Sequence, residues 1–439
     1  MKIQFWGSTD DVTGSMTLLD LPEGKILIDC GLTQGREETV KKNLLVPPFS
    51  PSEIEAIVLT HAHLDHCGYI PKLVKDGFRG SIICTPPTMK LAKIIMADSA
   101  RLQEGREEDK IQNPLYTTID VTVATSLFQT KEFGHRFKLA GAAVTFRPAG
   151  HILGAASVFI EADKTIVFSG DLGRANDPII PTAMRCPSAD AVIMESTYGG
   201  KDRTGILEND LHSFLVKIHQ EKKVGIVASF AVARAQLLIT LIHRFFERHP
   251  EYKSRLVIDG PMMKEANKVY KEFAASTNLS EDVFESIDDV DSIDSLGEWD
   301  SLKTKNGPLI IISSSGMITG GRIWRHLKNW QNDENALLFL PGYQAEGTAG
   351  KRLSEGNREI ADSNGERIVW TGEIMHSDAF SSHADQSELL DWVADISKET
   401  NIYLLHGEDK SKVDLKNKLK ELGHKNIQIP QRGETISLS

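Results

Sequence analysis

The sequence predicts an α/β protein of two parts, and three observations lead to this fold class. The chain has 439 residues, too many for one ordinary hydrophobic core, so two or three domains are expected. Up to residue 199, short runs of alternating apolar residues indicate a two-layered sheet with helices outside it. From about residue 200 to 365, apolar strands alternate with helices, which is typical of a parallel sheet.

The individual elements follow from apolar runs and the polar residues that bound them. Residues 1–30 are expected to form two strands around a turn, the second ending at Asp29. Further strands of the first part are expected at Ile54–Thr60, Ser81–Thr85, Ala143–Arg147, Ser157–Ala162 and Thr165–Ser169. In the second part, strands are expected at Val224–Ser229, Arg255–Asp259, Pro308–Ser313 and Ala336–Pro341, and helices at Ala235–Arg248, Lys264–Ala275 and Ile323–Trp330. Residues 366–439 return to motif-rich sequence, which gives the predicted division 1–199, 200–365 and 366–439.

Composition indicates a cytoplasmic protein that does not enter membranes. No apolar run approaches the roughly 18 residues that span a bilayer, and the first residues have no signal-peptide pattern. The four cysteines suit a reducing compartment, since they are scattered and form no C-x-x-C pattern. Cys67 follows His66, but a small buried cysteine is the favoured interpretation over a metal ligand.

The charge balance limits how a nucleic acid could bind. The formal net charge is −11, which argues mildly against a general affinity for phosphate backbones. The stretch 272–302 contains no lysine or arginine and would repel phosphate, so we expect it to lie away from the active cleft. Phosphate recognition would then be local, through metal ions, helix N-termini and a few arginines.

The most informative motif is His-Ala-His-Leu-Asp-His at residues 61–66. Imidazole and carboxylate groups are ligands that zinc prefers. Six residues wrap one tetrahedral ion poorly, but they can serve two adjacent ions if His61 and His63 face one way and Asp65 and His66 the other. Such a centre activates water, and the motif therefore indicates a hydrolase.

Two further candidate ligands occur in loops that follow predicted strands. His151 lies in Pro-Ala-Gly-His-Ile-Leu-Gly-Ala, and Asp171 lies in Phe-Ser-Gly-Asp-Leu-Gly. Alone, each would more often be structural; beside the 61–66 motif, a role as ligand is favoured.

With these residues the sequence closely resembles the metallo-β-lactamase superfamily. Asp29, the 61–66 motif, His151 and Asp171 match its successive motifs in order. The segments Glu195-Ser-Thr-Tyr-Gly-Gly, Ser381-Ser-His383-Ala-Asp and Leu405-His406-Gly-Glu resemble the three extra motifs of its β-CASP group, whose members are nucleases. The resemblance covers essentially the whole chain and implies an αββα sandwich with an inserted β-CASP domain on a mainly parallel sheet.

The resemblance also implies roles for single residues. His61, His63 and His151 would hold one zinc, Asp65, His66 and His406 a second, and Asp171 would bridge the two, although manganese remains an alternative. A hydroxide between the ions would be the nucleophile, so that Asp65 also belongs to the catalytic set. Asp29 would support the ligands by hydrogen bonds.

A second pair of residues has a separate implied role. His383 would be the general acid to the leaving oxygen, and Glu195 would orient it. The residues around His383 also have the pattern of a helix N-cap, which leaves a structural interpretation open.

Glycine-rich strand-to-helix junctions are the candidate phosphate contacts. Such turns expose backbone N–H groups to anions, although many merely connect elements. The candidates, which also match β-CASP segments, are Arg234, Ser314, Gly316, Arg322 and Ser381. Ala233 departs from the glycine usual before the arginine in relatives, and Ser382 from a usual glycine or alanine, which puts specificity rather than activity in doubt.

These observations favour a zinc-dependent ribonuclease that cuts single-stranded RNA, mainly internally, of the compact cleavage-and-polyadenylation-endonuclease type. His406 favours RNA over DNA by resemblance, and the short segment after it favours the compact type. The alternatives are a 5′ exoribonuclease of the RNase J type, a small-ester hydrolase and an inactive scaffold subunit. The intact ligand set argues against the scaffold. A homodimer is left open.

Overall fold

The computed structural model describes residues 1–35, 37–105, 114–203, 206–279, 290–293, 302, 307–345, 347–361 and 365–438. The chain divides into two compact units. The first comprises Met1–Asp202 with His383–Ser439, and the second comprises Arg203–Ser382. The sequence placed the second boundary at residue 365, before the strand Glu373–Ser377, which pairs with Ala336–Pro341 of the second unit. This strand is short and partly polar, so no apolar run marks it in the sequence.

Seven described strands of the first unit form one sheet. In spatial order they are Thr435–Ser437, Lys2–Phe5, Thr17–Leu21, Gly24–Ile28, Ile54–Val58, Ser81–Cys84 and Phe128–Thr130. Residues 1–30 therefore hold three strands where two were predicted. The four-residue strand Lys2–Phe5 is separated from the hairpin by a polar, glycine-containing loop, and its pairing with Thr435–Ser437 joins the two ends of the chain.

A second sheet of this unit also has seven described strands. In spatial order they are Asn426–Gln428, Asn401–Leu405, Ala191–Glu195, Thr165–Phe168, Ala156–Glu161, Ala142–Pro148 and Arg136–Leu139. The strand Ala191–Glu195 lies parallel to Asn401–Leu405, with Glu195 opposite Leu405. This register brings the extra motifs, which are far apart in sequence, to one end of the sheet.

The two sheets pack face to face over one hydrophobic core. Ile3 and Phe5 of the first sheet belong to the same buried cluster as Phe146 and Tyr403 of the second. The rings of Phe5 and Tyr403 meet at a centroid distance of 5.6 Å. In strand Ala142–Pro148 buried residues alternate with partly exposed ones, so one face of this strand packs in the core.

Helices cover the outer faces and complete the predicted αββα sandwich. The described helices of this unit are Glu37–Val40, Leu64–Cys67, Ile70–Lys75, Pro86–Glu104, Thr118–Ser126, Gln386–Trp392 and Asp409–Glu421. Pro86–Glu104 contacts the first sheet at Phe128–Thr130, and Asp409–Glu421 contacts the second at Asn401–Leu405. Thr85 begins the long helix by accepting a hydrogen bond from the Thr88 backbone, with proline at the first helical position.

The second unit is built on a sheet whose described strands are all parallel. Their spatial order is Asp291–Ser292, Arg255–Asp259, Leu309–Ser313, Val224–Ala228, Ala336–Pro341 and Glu373–Ser377. Its described helices are Leu207–Gln220, Arg234–Arg248, Pro261–Glu272, Ile323–Trp330 and Ala349–Ser354, and a small antiparallel pair joins Glu359–Ala361 to Arg367–Val369. The predicted parallel sheet of the inserted domain is thereby confirmed.

Two sequence-based expectations concern other parts of the chain. Most of the acidic stretch 272–302 lies outside the described residues, so its predicted position away from the active cleft stays a prediction. Within the described ranges, no helix combines the length and apolar character needed to cross a bilayer.

The second unit contains a buried ionic cluster that predicts acid-sensitive stability. Asp259 accepts hydrogen bonds of 2.7 Å from both Arg322 and His326, and its side chain is 1% exposed. Burial raises the pKa of Asp259, but the hydrogen bonds from His326 and Arg322 outweigh it and hold this pKa below its ordinary value. The carboxylate therefore stabilises the fold fully above the unfolded-state pKa of about 3.9, and this contribution is lost as pH falls through the lower folded-state pKa.

Replacing Asp259 with asparagine is expected to reduce the free energy of unfolding by about 3–5 kcal/mol at pH 7. The difference from the unmodified protein should stay constant above about pH 5 and shrink below about pH 4. Urea unfolding at several pH values, followed by tryptophan fluorescence, measures this difference. Asp291→Asn is the matched control because Asp291 pairs with Arg255 at the surface, and it should change stability by less than about 1 kcal/mol. A pH-independent difference for Asp259→Asn would contradict the assignment.

Candidate metal centre

The 61–66 motif lies directly after the buried strand Ile54–Val58 and changes from extended chain to helix within itself. His63 has extended backbone and is the residue before the short helix Leu64–Cys67. The change of direction separates the side chains of His61 and His63 from those of Asp65 and His66. The motif can therefore contribute to two adjacent groups of ligands, as its spacing predicted.

The first group contains His61, His63, His151 and Asp171. His63 Nδ1 lies 3.1 Å from His61 Nε2 and 3.0 Å from His151 Nε2. Asp171 Oδ2 lies 3.4 Å from His61 Nε2 and 3.6 Å from His151 Nε2. Three ring nitrogens and one carboxylate oxygen thus converge on one point.

The second group contains Asp65, His66 and His406. His406 Nε2 lies 3.1 Å from His66 Nε2 and 3.3 Å from Asp65 Oδ2. The other oxygen of Asp171, Oδ1, lies 3.3 Å from His66 Nε2 and 3.6 Å from His406 Nδ1. The two oxygens of one carboxylate therefore face the two groups separately.

This arrangement fits a divalent metal centre better than a hydrogen-bonded cluster. A single proton on His63 Nδ1 cannot satisfy both neighbouring ring nitrogens. The observed N···N separations are close to the ~3.3 Å expected between nitrogens that bind one tetrahedral ion at about 2.0–2.1 Å. Asp171 Oδ1 is buried and accepts no hydrogen bond of acceptable geometry from the described residues, which leaves it available as a ligand atom.

The protonation of the histidines differs between the two groups. Burial lowers the pKa of His63 to about 4 and that of His61 well below its ordinary value, so both are neutral ligands at pH 7. Burial also lowers the pKa of His66, but the carboxylates of Asp171 and Asp29 outweigh it and raise this pKa well above the ordinary value. Metal binding to the second group must therefore displace a proton.

Asp29 contacts the second group through His66. It is 2% exposed and has a left-handed backbone with φ 59° at the end of strand Gly24–Ile28. Its carboxylate accepts hydrogen bonds from Thr60 N at 2.8 Å and from Thr60 Oγ1 at 3.0 Å. It also lies 2.7 Å from His66 Nδ1, which leaves Nε2 of that ring for a metal.

We expect Asp29→Ala to weaken divalent metal binding by about 10–100-fold, because His66 loses the carboxylate that fixes its tautomer. Asp29→Asn is the closer variant, since asparagine also tolerates the left-handed backbone and removes only the charge. Competition with a chromogenic chelator measures the affinity. Asp20→Ala, on the same hairpin at the surface, should leave affinity unchanged. Unchanged affinity in both Asp29 variants would contradict the supporting role.

Glu195 and His383 form a separate pair beside the two groups. His383 Nδ1 lies 3.2 Å from Glu195 Oε1, and the His383 side chain is 20% exposed. Glu195 is buried and accepts hydrogen bonds from Leu172 N at 2.7 Å and Thr197 N at 3.2 Å. The pairing directs Nδ1–H toward the carboxylate and leaves Nε2 as the atom that can exchange a proton. The N-cap of helix Gln386–Trp392 is Asp385, two residues after His383.

The support of His406 was not predicted from the sequence. His406 has a left-handed backbone with φ 51°, and its N–H donates to Ser8 O at 2.8 Å. Thr197 Oγ1 lies 3.1 Å from its Nδ1. The buried ammonium of Lys412 donates to Thr9 O, next to Ser8. Serine, threonine and lysine occur throughout the sequence without a motif, so only the folded chain identifies these supports.

Cys67 and the predicted phosphate contacts lie elsewhere. Cys67 is buried, donates to Ala62 O at 3.2 Å and belongs to neither group. The predicted phosphate contacts all belong to the second unit. Arg234 is buried beneath the ring of Phe230, and Arg322 is bonded to Asp259. Ser314 is partly exposed and Gly316 buried in the loop after Leu309–Ser313, and Ser381 is buried after Asp378–Phe380.

Two clusters of histidine and carboxylate at the strand ends of an αββα sandwich define a metal-dependent hydrolase of the metallo-β-lactamase type. Three family models match the chain: the metallo-beta-lactamase superfamily at residues 9–190, the Beta-Casp domain at 235–353, and the Zn-dependent metallo-hydrolase RNA specificity domain at 371–430.

Known proteins resemble the chain over nearly its whole length. The ribonuclease TTHA0252 of Thermus thermophilus is 30% identical over 449 residues, which cover 99% of this chain and 100% of that protein. An RNase J-like protein of Methanocaldococcus jannaschii is 28% identical and matches 92% of each chain. The transcription termination factor FttA of the same organism is 27% identical, covering 99% of this chain and 71% of that one. A solved structure from Enterococcus faecalis, a protein of unknown function, shares the fold with a TM-score of 0.61 at 16% identity, covering 100% of this chain and 99% of that one.

The chain belongs to the β-CASP group of the metallo-β-lactamase superfamily and is a metal-dependent RNA hydrolase. This membership confirms the family predicted from the motifs.

Proposed function

We propose that the protein is a zinc-dependent ribonuclease that cuts single-stranded RNA, mainly at internal phosphodiester bonds. The observation that carries the proposal is the position of Asp171, whose two oxygens face two separate groups of ligands. A carboxylate placed in this way suits two ions, and a two-ion centre is a common solution for phosphodiester hydrolysis.

The ligands follow from the two groups. His61, His63 and His151 would hold one zinc, and Asp65, His66 and His406 the other, with Asp171 shared. The donor set of five imidazoles and two carboxylates favours zinc, while manganese would bind the same ligands more weakly. Bound divalent ions lower the pKa of water toward about 7 and so make hydroxide available at neutral pH.

The remaining residues would act on the leaving group. His383 would donate a proton from Nε2 to the leaving 3′ oxygen, which needs an acid because an RNA 3′ alkoxide is a poor leaving group. Glu195 would hold the ring in the tautomer and orientation that this transfer requires. The products would carry 5′-phosphate and 3′-hydroxyl ends.

Three further expectations belong to the proposal. The name of the RNase J-like relative makes a 5′ exonuclease activity the main alternative mode. A cytoplasmic location is supported by the four cysteines, all buried and free. The described ligands come from one chain, so a homodimer, if present, would not be needed to complete the centre.

A timed cleavage assay tests the proposal. A single-stranded RNA, labelled either internally or at its 5′ end, is incubated with the zinc-loaded protein beside a DNA of the same sequence. Internal fragments from RNA alone are expected, and mononucleotides released from the 5′ end would instead indicate an exonuclease. If a protein with two zinc ions per chain cuts neither polymer, the nuclease proposal is wrong and a small-ester hydrolase or a partner-dependent subunit is favoured.

A further inference from the structure

An exposed phenylalanine lies at the carboxyl edge of the parallel sheet in the second unit. Phe230 follows strand Val224–Ala228 by two residues and is 38% exposed. It is the only phenylalanine among the exposed large apolar side chains in the described part of the chain. Ligands of open parallel sheets bind outside the carboxyl ends of the strands, so this is the edge where a functional side chain is expected.

The ring of Phe230 is held in place by its neighbours. The guanidinium of Arg234 lies 4.6 Å from the ring centroid. On the neighbouring strand end, Gly316 approaches so closely that a Cβ there would lie 3.2 Å from the ring and 2.9 Å from the Phe230 backbone nitrogen. Glycine at this position therefore allows the loop to pack against an aromatic residue whose remaining surface is open to solvent.

The backbone beside Phe230 is strained, which is an independent sign of function. Ala233 has φ 69° and ψ −63°, and the N–H of Arg234 donates back to Val232 O at 3.0 Å in a tight turn. Ile318, in the adjacent loop, has φ 55° although it is β-branched and 1% exposed. Left-handed conformations of such residues cost about 1–3 kcal/mol each and are typically retained at functional sites.

The chemistry of this edge suits a base next to phosphates. Arg234 lies against one side of the Phe230 ring. Gly342 lies so close on another side that a Cβ there would be 2.8 Å from Arg234 Nη2. Tyr343, partly exposed, follows the next strand, Ala336–Pro341. Arg234 is only 7% exposed and supports the ring from one side, so the open face of Phe230, beside the N-terminus of the helix Arg234–Arg248, is the surface on which a base of a single-stranded nucleic acid can stack.

We propose that Phe230 is a stacking platform for one base of a single-stranded RNA. The inference rests on the proposed ribonuclease function and adds a residue that contacts a base of the RNA rather than a phosphate. Stacking accepts any base, so the platform would position RNA without selecting a sequence.

The test removes the aromatic face and the base in turn. A fluorescent uridine oligomer and an abasic oligomer of equal length are titrated with zinc-loaded protein carrying His383→Ala, so that the RNA is not consumed. With Phe230 present, loss of the bases should weaken binding by about five-fold or more. With Phe230→Leu, which keeps apolar packing on Arg234 and Gly316, the preference for bases should fall below about two-fold, and Phe230→Tyr should retain it.

Two controls separate stacking from folding. Phe246→Ala is a matched loss of a partly exposed phenylalanine on the helix that follows, and it should keep the full base preference. Phe230→Trp adds a fluorophore to the six tryptophans already present, and the emission that it adds over the parent protein should be quenched by the uridine oligomer but not by the abasic one. If Phe230→Leu keeps the preference for bases, or if Phe230→Trp shows no quenching, the stacking proposal is wrong while the proposed ribonuclease function still stands. Failure of the parent protein to bind RNA would overturn the proposed function and the platform together.

Discussion

Replacement of Asp171 by alanine is expected to lower the rate of RNA hydrolysis by at least about 10³-fold and to reduce the metal content of the protein. The reason is that Asp171 faces both ligand groups, His61 and His151 through Oδ2 and His66 through Oδ1. Its loss removes a candidate ligand from each group and the negative charge between them. The transition state of RNA hydrolysis would then lose several kcal/mol of stabilisation. Metal analysis of the purified protein and the initial cleavage rate give the two readouts.

The control for Asp171→Ala is Asp163→Ala, the same substitution at an exposed residue between strands Ala156–Glu161 and Thr165–Phe168. It should keep both full metal content and the full rate. A protein with Asp171→Ala that retains two ions per chain would exclude a bridging carboxylate, even if its activity were low.

Replacement of His383 by alanine is expected to lower kcat by about 10²–10⁴-fold while metal content stays unchanged. His383 is not one of the seven residues in the two ligand groups; it clusters with Asp171 and Glu195, and Glu195 Oε1 lies 3.2 Å from its Nδ1. The variant therefore separates proton donation from metal binding, which Asp171→Ala cannot do. Single-turnover cleavage at saturating protein measures the chemical step directly.

The Glu195 partner gives a second check on this assignment. Glu195→Gln removes the charge that orients His383, and the double variant with His383→Ala should be no slower than His383→Ala alone, because the two residues act as a unit. His135→Ala, at an exposed position of the same unit, should cut RNA at the normal rate. Additive losses in the double variant would contradict a shared role.

Strong local patterns allowed much of the fold to be predicted from sequence. The strand Arg255–Asp259 and the helix Ile323–Trp330 have the bounds that their apolar patterns predicted. Buried strands such as Val224–Ala228 are continuous apolar runs, which mark them clearly. Among the strands that escaped prediction, Lys2–Phe5 and Glu373–Ser377 are short and exist because a distant strand pairs with them. Pairing partners are not encoded in the local pattern of either strand.

In the candidate site, too, residues in rare motifs were predicted and their supporting residues were not. Histidine and aspartate in glycine-flanked loops are rare enough together to be recognised, and the structure brings all seven predicted ligands into two groups. Thr60 and Thr197, which hold Asp29 and His406, were missed because a single threonine carries no such signal. Arg234 and Arg322 were predicted to contact phosphate because of the loops in which they lie. The sequence could not reveal that Arg322 donates a hydrogen bond to Asp259 instead.

The division of the first unit between the two ends of the chain has a consequence for its synthesis. His406 and Asp65 lie side by side although 341 residues separate them in sequence. At a ribosomal rate of about 5–20 residues per second, the nascent chain spends roughly 20–70 s with His61, His63 and Asp65 made but His406 still missing. The second metal group cannot be complete in that interval, and the Glu195–His383 pair cannot form before His383 is made. If both groups are needed for hydrolysis, as proposed, a growing chain is expected to be inactive toward RNA, including its own messenger, until His406 is made.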